Sequence, residues 1–199
     1  MKGILLLNGE PYPGAIPTDD AYTICCDGAY RWAKDRVHID ETIGDMDSAG
    51  VIPSPAPKAI YPTDKDYTDG ELGLAVLMRH GCSPILIYGG SGGREDHFIG
   101  NLHLLYKAHS AGIPCAMISG RSLIFPMSGR TPLGRFCGKT LSVLPFSGDI
   151  SVLSWQGLKY PYPEKISYGE CRGISNICTS VDAYLDIQGT ALIIVSGGD

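Results

Sequence analysis

SPILIYGGSGGREDHFIGNLHLLYKAHSAG, residues 83–112, is the stretch whose reading decides the fold. Ile85, Leu86, Ile87 and Tyr88 make a short apolar run that stops at a pair of glycines, which reads as a buried strand. From Arg94 onward the apolar spacing becomes helical. Phe98, Leu102, Leu105 and Tyr106 fall on one face of a long helix that ends at Gly112. Strand, glycine-rich turn and helix in this order form the repeating half of a parallel α/β sheet.

The same alternation extends upstream. GILLLNG (3–9) and YTICCDG (22–28) read as buried strands, AYRWAKDR (29–36) as a short helix, and a weaker strand runs into ETIGDMDS (41–48). KAIYP (58–62) predicts another strand and TDGELGLAVLMRHG (68–81) a helix that Gly81 stops. PCAMIS (114–119) and SLIFP (122–126) close this half. Downstream the texture changes. GKTLSVLPFSGD, ISVLSWQG, VDAYLDIQG and ALIIVSGG are strand-like runs split by Gly and Pro, so antiparallel β is expected. The expected division is 1–125, parallel α/β, and 126–199, all-β.

With 199 residues, 44% of them hydrophobic, the chain is long and apolar enough to bury a core. A formal charge of −5 without a run of Lys or Arg argues against nucleic acid or an anionic membrane as main partner. The N-terminal apolar stretch is too short for a signal sequence, so a cytoplasmic protein is expected. The 7 cysteines form no C-x-x-C pair and read as reduced core thiols. His97, His103 and His109 recur at a spacing that leaves one helical face, which argues against zinc.

Acids mark the strand ends of the first half: Asp27 after TICC, Asp45 and Asp47 in GDMDS, Asp64, Asp66 and Asp69 in TDKDYTD, and Asp96 in GGREDH. Thr68 and Glu71 have capping-box spacing, which accounts for part of this acidity and not for all of it. In an open parallel sheet, ligands sit beyond the carboxyl ends of the strands, where these acids converge. Two like charges about 4 Å apart repel by roughly 4 kcal/mol at an effective dielectric of 20, so a cation belongs among them. Hard oxygen donors without Cys or His partners suit Mg2+ shared with substrate phosphates. Lys65, Arg94 and Arg31 are cations for phosphate oxygens, and GGSGGR lets backbone N–H groups approach a polyphosphate. Arg94, His97 and Asn101 share one helical stripe. Taken singly, each piece has a plainer origin: D-x-D as turn chemistry, Asp27 as a cap, His97 as a helix-start residue. Recurrence at successive strand ends favours a magnesium–nucleotide site.

In order along the chain, DGAYR (27–31), GDMDS (44–48), TDKDYTD (63–69), GGREDH (92–97) with Asn101, GLKYP (157–161) and GISN (173–176) resemble the motifs of thiamine pyrophosphokinases. The resemblance implies a parallel α/β nucleotide-binding domain followed by a small antiparallel β-sandwich, paired as a homodimer with thiamine near the subunit interface. It implies transfer of the diphosphate of ATP to thiamine, giving thiamine diphosphate and AMP. Carried over, Asp45, Asp47 and Asp69 would hold Mg2+, with Asp64 and Asp66 beside them. Asp27, Lys65, His97 and Asn101 would lie on the ATP side, with Arg94 at the phosphates and Asp69 or Asp96 as base. Ser175 and Asn176 would face thiamine, and Trp155, Tyr160 and Tyr162 are the aromatic candidates for stacking on it. Met46 stands where the family commonly has Phe. The rival readings are an Asp-dependent phosphohydrolase, for which HIDETIG is a poor strand before the D-x-D, and a nucleotide-sensing module without turnover.

Overall fold

The computed structural model describes residues 1–44 and 67–197. Asp45, Asp47, Asp64, Lys65, Asp66 and the expected KAIYP strand lie outside the described residues. The chain forms two compact units, Met1–Gly120 and Arg121–Asp199.

In chain order the first unit contains β1 (Lys2–Leu6), β2 (Ala21–Cys26), α1 (Tyr30–Ala33), β3 (Glu41–Ile43), α2 (Asp69–Arg79), β4 (Ile85–Tyr88), α3 (Glu95–Ser110) and β5 (Cys115–Ile118). The strands pair in parallel in the order β5-β4-β1-β2-β3. Their apolar runs are continuous because both faces are covered. Ile4, Leu6, Cys25 and Tyr88 pack with Ala29, Tyr30 and Ala33 on one face. On the other, α2 comes so close that a Cβ added to Gly73 would lie 2.6 Å from Leu5 Cδ1 and 3.3 Å from Ile24 Cγ2.

The inward face of α3 shares Leu105 with the one the apolar spacing predicts and is rotated away from Tyr106. Leu104, Leu105 and Ala108 are buried, Leu102 is half-buried, and Tyr106 is 40% exposed. Burial follows the i, i+4, i+7 row that starts at Asn101, so the polar Asn101 rides on the inward edge.

The second unit contains β6 (Ser122–Pro132), β7 (Thr140–Pro145), β8 (Ile150–Gln156), β9 (Lys165–Ile166), β10 (Asn176–Ile177) and β11 (Tyr184–Ser196), all paired antiparallel. Two differences from the sequence expectation have one cause. VDAYLDIQG and ALIIVSGG are a single strand, β11, whose register shifts between Ile187 and Ala191. Gly189, at φ +100, belongs to a bulge rather than a turn. The bend lets one strand serve two neighbours: Tyr184–Gln188 pairs with β8 and Ala191–Ser196 with β7. β6 runs beside both halves, which draws SLIFP into this unit and begins it at Arg121.

Of the cysteines, Cys25, Cys26, Cys82, Cys115 and Cys178 are buried, and Cys137 and Cys171 are exposed; none is in a disulfide. The exposed pair corrects the expectation of core thiols throughout.

Candidate active site at the carboxyl ends of the parallel strands

The strand order places a reversal between β1 and β4: the chain steps from β1 outward to β2 and β3, then returns to β4 and β5 on the other side. Connections leave the two central strands in opposite directions, which is the place where an open parallel sheet binds its ligand. Backbone pairing continues past the two strands. Leu7 donates its N–H to the Tyr88 carbonyl at 2.9 Å, Gly9 to Gly89 at 2.7 Å and Glu10 to Ser91 at 2.7 Å. The glycine turn is thereby held against the exit of β1. Gly89 sits at φ +68, and a Cβ there would lie 2.2 Å from the Leu7 carbonyl oxygen. No other residue type fits. The indole Nε1 of Trp32 donates to the same oxygen at 3.2 Å.

Asp27 follows β2 directly and is 6% exposed, its Oδ1 accepting the N–H of Gly28. Gly44 leaves β3 at φ +146 against this carboxylate; a Cβ there would come within 2.7 Å of Asp27 Cβ and Cγ. Glycine is what allows the chain to pass Asp27 as it enters Asp45. Burial, aided by the Asp27 charge, pushes the neighbouring Cys25 thiol up to about 12. Asn8 meets this corner from β1, since a Cβ on Gly28 would lie 2.2 Å from its Nδ2. Asn8 and Trp32 were not singled out in the sequence. The signal for Asn8 was present in the Asn-Gly that ends the LLLNG run.

Asp69 is the first residue of α2, and it is not the cap. Thr68 Oγ1 accepts the Glu71 N–H at 3.2 Å, and Glu71 Oε2 accepts the Thr68 N–H at 3.0 Å. The capping box is complete without Asp69. A carboxylate beyond those the helix needs therefore stands at its positive end.

Arg94, Asp96 and His97 are exposed at the start of α3. Arg94 turns onto its own helix: Nε donates to Asp96 Oδ1 at 3.1 Å and Nη2 to Oδ2 at 2.6 Å, while Asp96 Oδ1 also accepts the His97 N–H at 2.9 Å. The guanidinium holds the Asp96 carboxyl below the usual carboxylate range. Asn101 is half-buried, and its Nδ2 donates to the Gly90 carbonyl at 2.9 Å. The predicted stripe of Arg94, His97 and Asn101 exists, with Asn101 directed at the protein backbone.

In the second unit, Ser175 and Asn176 diverge. Ser175 is exposed at φ +60, and its N–H donates to Ser142 Oγ at 3.1 Å. Asn176 is 3% exposed and fully engaged: Oδ1 accepts the N–H of Tyr160 at 3.0 Å and of Ile177 at 2.8 Å, and Nδ2 donates to the Tyr160 carbonyl at 2.8 Å. Among the aromatic candidates, Tyr162 is buried edge-on to the half-buried Trp155, with ring centroids 6.5 Å apart, and Tyr160 is 50% exposed. Burial pushes the Tyr162 phenol up to about 12. Its hydroxyl makes no hydrogen bond of ordinary geometry among the described residues, and the Asn176 side chain offsets the burial only in part.

Among the described residues no three His, Cys, Asp or Glu side chains form a metal cluster, and no helix is long and apolar enough to cross a membrane. A cleft lined by Glu41, Val76, Arg79 and His80 opens at the other ends of the elements, where β3 starts and α2 stops, and contains none of the predicted site residues.

Comparison with known proteins agrees with this layout. The family model described as "Thiamin pyrophosphokinase, catalytic domain" matches residues 16–117, and that described as "Thiamin pyrophosphokinase, vitamin B1 binding domain" matches residues 130–191. A thiamine pyrophosphokinase of Bacillus subtilis (strain 168) is 36% identical over 146 residues, 68% of each chain. A thiamin pyrophosphokinase 1 of Caenorhabditis elegans is 25% identical over 210 residues, 95% of this chain and 86% of that one. The crystal structure of a thiamine pyrophosphokinase from Bacillus subtilis superposes over 100% of both chains with a TM-score of 0.83 at 27% identity. With both family domains matched in order over an α/β unit and a β unit, the chain belongs to the thiamine pyrophosphokinase family.

Proposed function

We propose that this chain transfers the diphosphate of ATP to the hydroxyethyl oxygen of thiamine, releasing AMP. The observation that carries the reading is the reversal of strand order between β1 and β4, with the glycine turn held on one side and the Asp27 and Gly44 corner on the other. In-line attack on the β-phosphorus needs two substrates held in line and negative charge neutralised, and this work falls to fixed donors and ions. The first unit, Met1–Gly120, acts as the ATP-binding catalytic domain and the second, Arg121–Asp199, as the thiamine-binding and dimerisation domain.

Asp45, Asp47 and Asp69 hold Mg2+ in this proposal, with Asp64 and Asp66 nearby. The fit rests on Asp69, a carboxylate that the capping box does not require, and on Gly44, which carries the chain past the Asp27 carboxylate into Asp45. When bound, the ion neutralises phosphate oxygens. Lys65, Arg94 and His97 face the polyphosphate, and Asp96 aims Arg94 by the paired hydrogen bonds described above. A carboxyl held low by that guanidinium is a weak base, which favours Asp69 as acceptor of the thiamine hydroxyl proton. Asp27 shapes the corner at Gly44, the residue before Asp45 in the sequence. On the thiamine side, Asn176 holds the backbone of Tyr160, whose half-exposed ring is offered to the aminopyrimidine, and Ser175 is the accessible hydroxyl. Large apolar side chains left exposed on the second unit, Leu153, Ile174 and Val181, support its pairing with a second copy.

The test is a product assay with purified protein, Mg2+, ATP and thiamine that resolves AMP, ADP and thiamine diphosphate. Equal yields of AMP and thiamine diphosphate are expected. ADP or phosphate formed without thiamine would replace the proposal with a phosphohydrolase, and binding without turnover with a sensor.

A further inference from the structure

Asn101 was expected to touch ATP, and its amide is committed elsewhere. Its partner is a carbonyl, which can only accept, so the nitrogen end of the amide is fixed on Gly90 and the oxygen end faces away. On that other side lies the N-terminus of α2: a Cβ added to Gly70 would lie 3.8 Å from Asn101 Oδ1, 3.1 Å from Leu104 Cδ1 and 3.4 Å from Leu7 Cδ2. Gly70 is buried and follows Asp69 directly. One half-buried amide thus lies between the glycine turn of β4 and the helix end that carries Asp69. Gly90 is itself confined, since a Cβ there would meet the Met117 sulfur at 2.8 Å. The turn has few ways to relax if the amide is lost.

We propose that Asn101 is a positioning residue that sets the distance between the glycine turn and the Asp69 end of α2, and through it the alignment of the transferred phosphoryl group with its acidic partner. The inference rests on the reaction proposed above. Misalignment by a fraction of an ångström costs rate rather than affinity, so the defect belongs in kcat.

Asn101→Asp supplies the decisive measurement because it keeps shape and removes the donor only while ionised. A carboxylate facing the Gly90 oxygen repels it, whereas the protonated acid donates an O–H to the same atom. At pH 8 its kcat should fall about tenfold, with KM for ATP within about twofold of the parent chain. Partial burial opposite the Gly90 oxygen raises the new carboxyl above the ordinary aspartate value of about 3.9, so the deficit relative to the parent should shrink as pH falls from 8 to 5.5. Asn101→Ala, which cannot regain a donor, should keep a constant deficit over the same range. A KM effect without a kcat effect would make Asn101 a nucleotide ligand and overturn the proposal. So would a deficit of Asn101→Asp independent of pH. Absence of thiamine diphosphate from the parent chain would instead sink the proposed reaction, which separates the two failures.

Discussion

Asn101 in the parallel unit and Asn176 in the antiparallel unit both read from the sequence as substrate-side polar groups, and both give their amides to backbone. Their circumstances differ. Asn101 makes one described hydrogen bond from a half-buried helix edge, beside a turn that parallel strands leave open at their carboxyl ends. Asn176 is sealed in, with both ends of its amide used on Tyr160 and Ile177. A parallel unit gathers its loops at one edge and keeps polar groups available there. Asn176 lies in the two-residue strand β10, where the flanking loop backbone must be satisfied internally, and a buried Asn is the side chain that can both donate and accept.

The comparison is broken most easily at Asp69. Asp69→Asn should cut turnover about a thousandfold while the thermal midpoint stays near that of the parent, because Thr68 and Glu71 cap α2 without it. Near-normal activity would remove Asp69 from the site and leave the first unit no more specialised than the second. Asn176→Ala should behave in the opposite way. It strands the Tyr160 N–H and carbonyl and the Ile177 N–H, at a cost of about 3 kcal/mol in denaturant unfolding. A loss of activity with unchanged stability would make Asn176 a ligand after all.

Smaller effects sharpen the contrast. Thr68→Ala removes one arm of the capping box and should cost about 1 kcal/mol, read as a lowered midpoint with only a modest change in kcat. Tyr162→Phe should stabilise the second unit by about 0.5 kcal/mol, because it deletes a buried hydroxyl with no hydrogen bond of ordinary geometry. The tyrosine also has a pH signature. Burial pushes its folded pKa up to about 12, above the ordinary tyrosine value of 10.0, so the folded state is not penalised below pH 10 and loses stability as pH rises towards 12. Tyr162→Phe should show a shallower alkaline loss than the parent over that window, and parallel curves would remove the phenol as the cause.

Legibility followed how local the cause was. The capping box at Thr68 and Glu71 was visible because its partners are three residues apart, and the strand–glycine–helix run at 83–112 was visible because each part has its own period. The inward face of α3 was misread because Leu104, Leu105 and Ala108, rather than Phe98 and Tyr106, meet the core, and amphipathic spacing admits both stripes. The bulge at Gln188–Thr190 was read as a turn because glycine between apolar runs fits either. Asp45 and Asp47, which the resemblance gives to Mg2+ together with Asp69, lie outside the described residues.

By itself the sequence determined the alternation of strand and helix, the acids at successive strand ends, the change to antiparallel β and the resemblance to one enzyme family, all properties of neighbouring residues or of motifs in order. Only the tertiary structure decided that β1 stands between β2 and β4, that Arg94 pairs with Asp96, and that Asn101 and Asn176 turn to backbone carbonyls. Strand order and the choice of hydrogen-bond partner depend on groups far apart in the chain, and their energies exist only once burial has removed water as the competing partner.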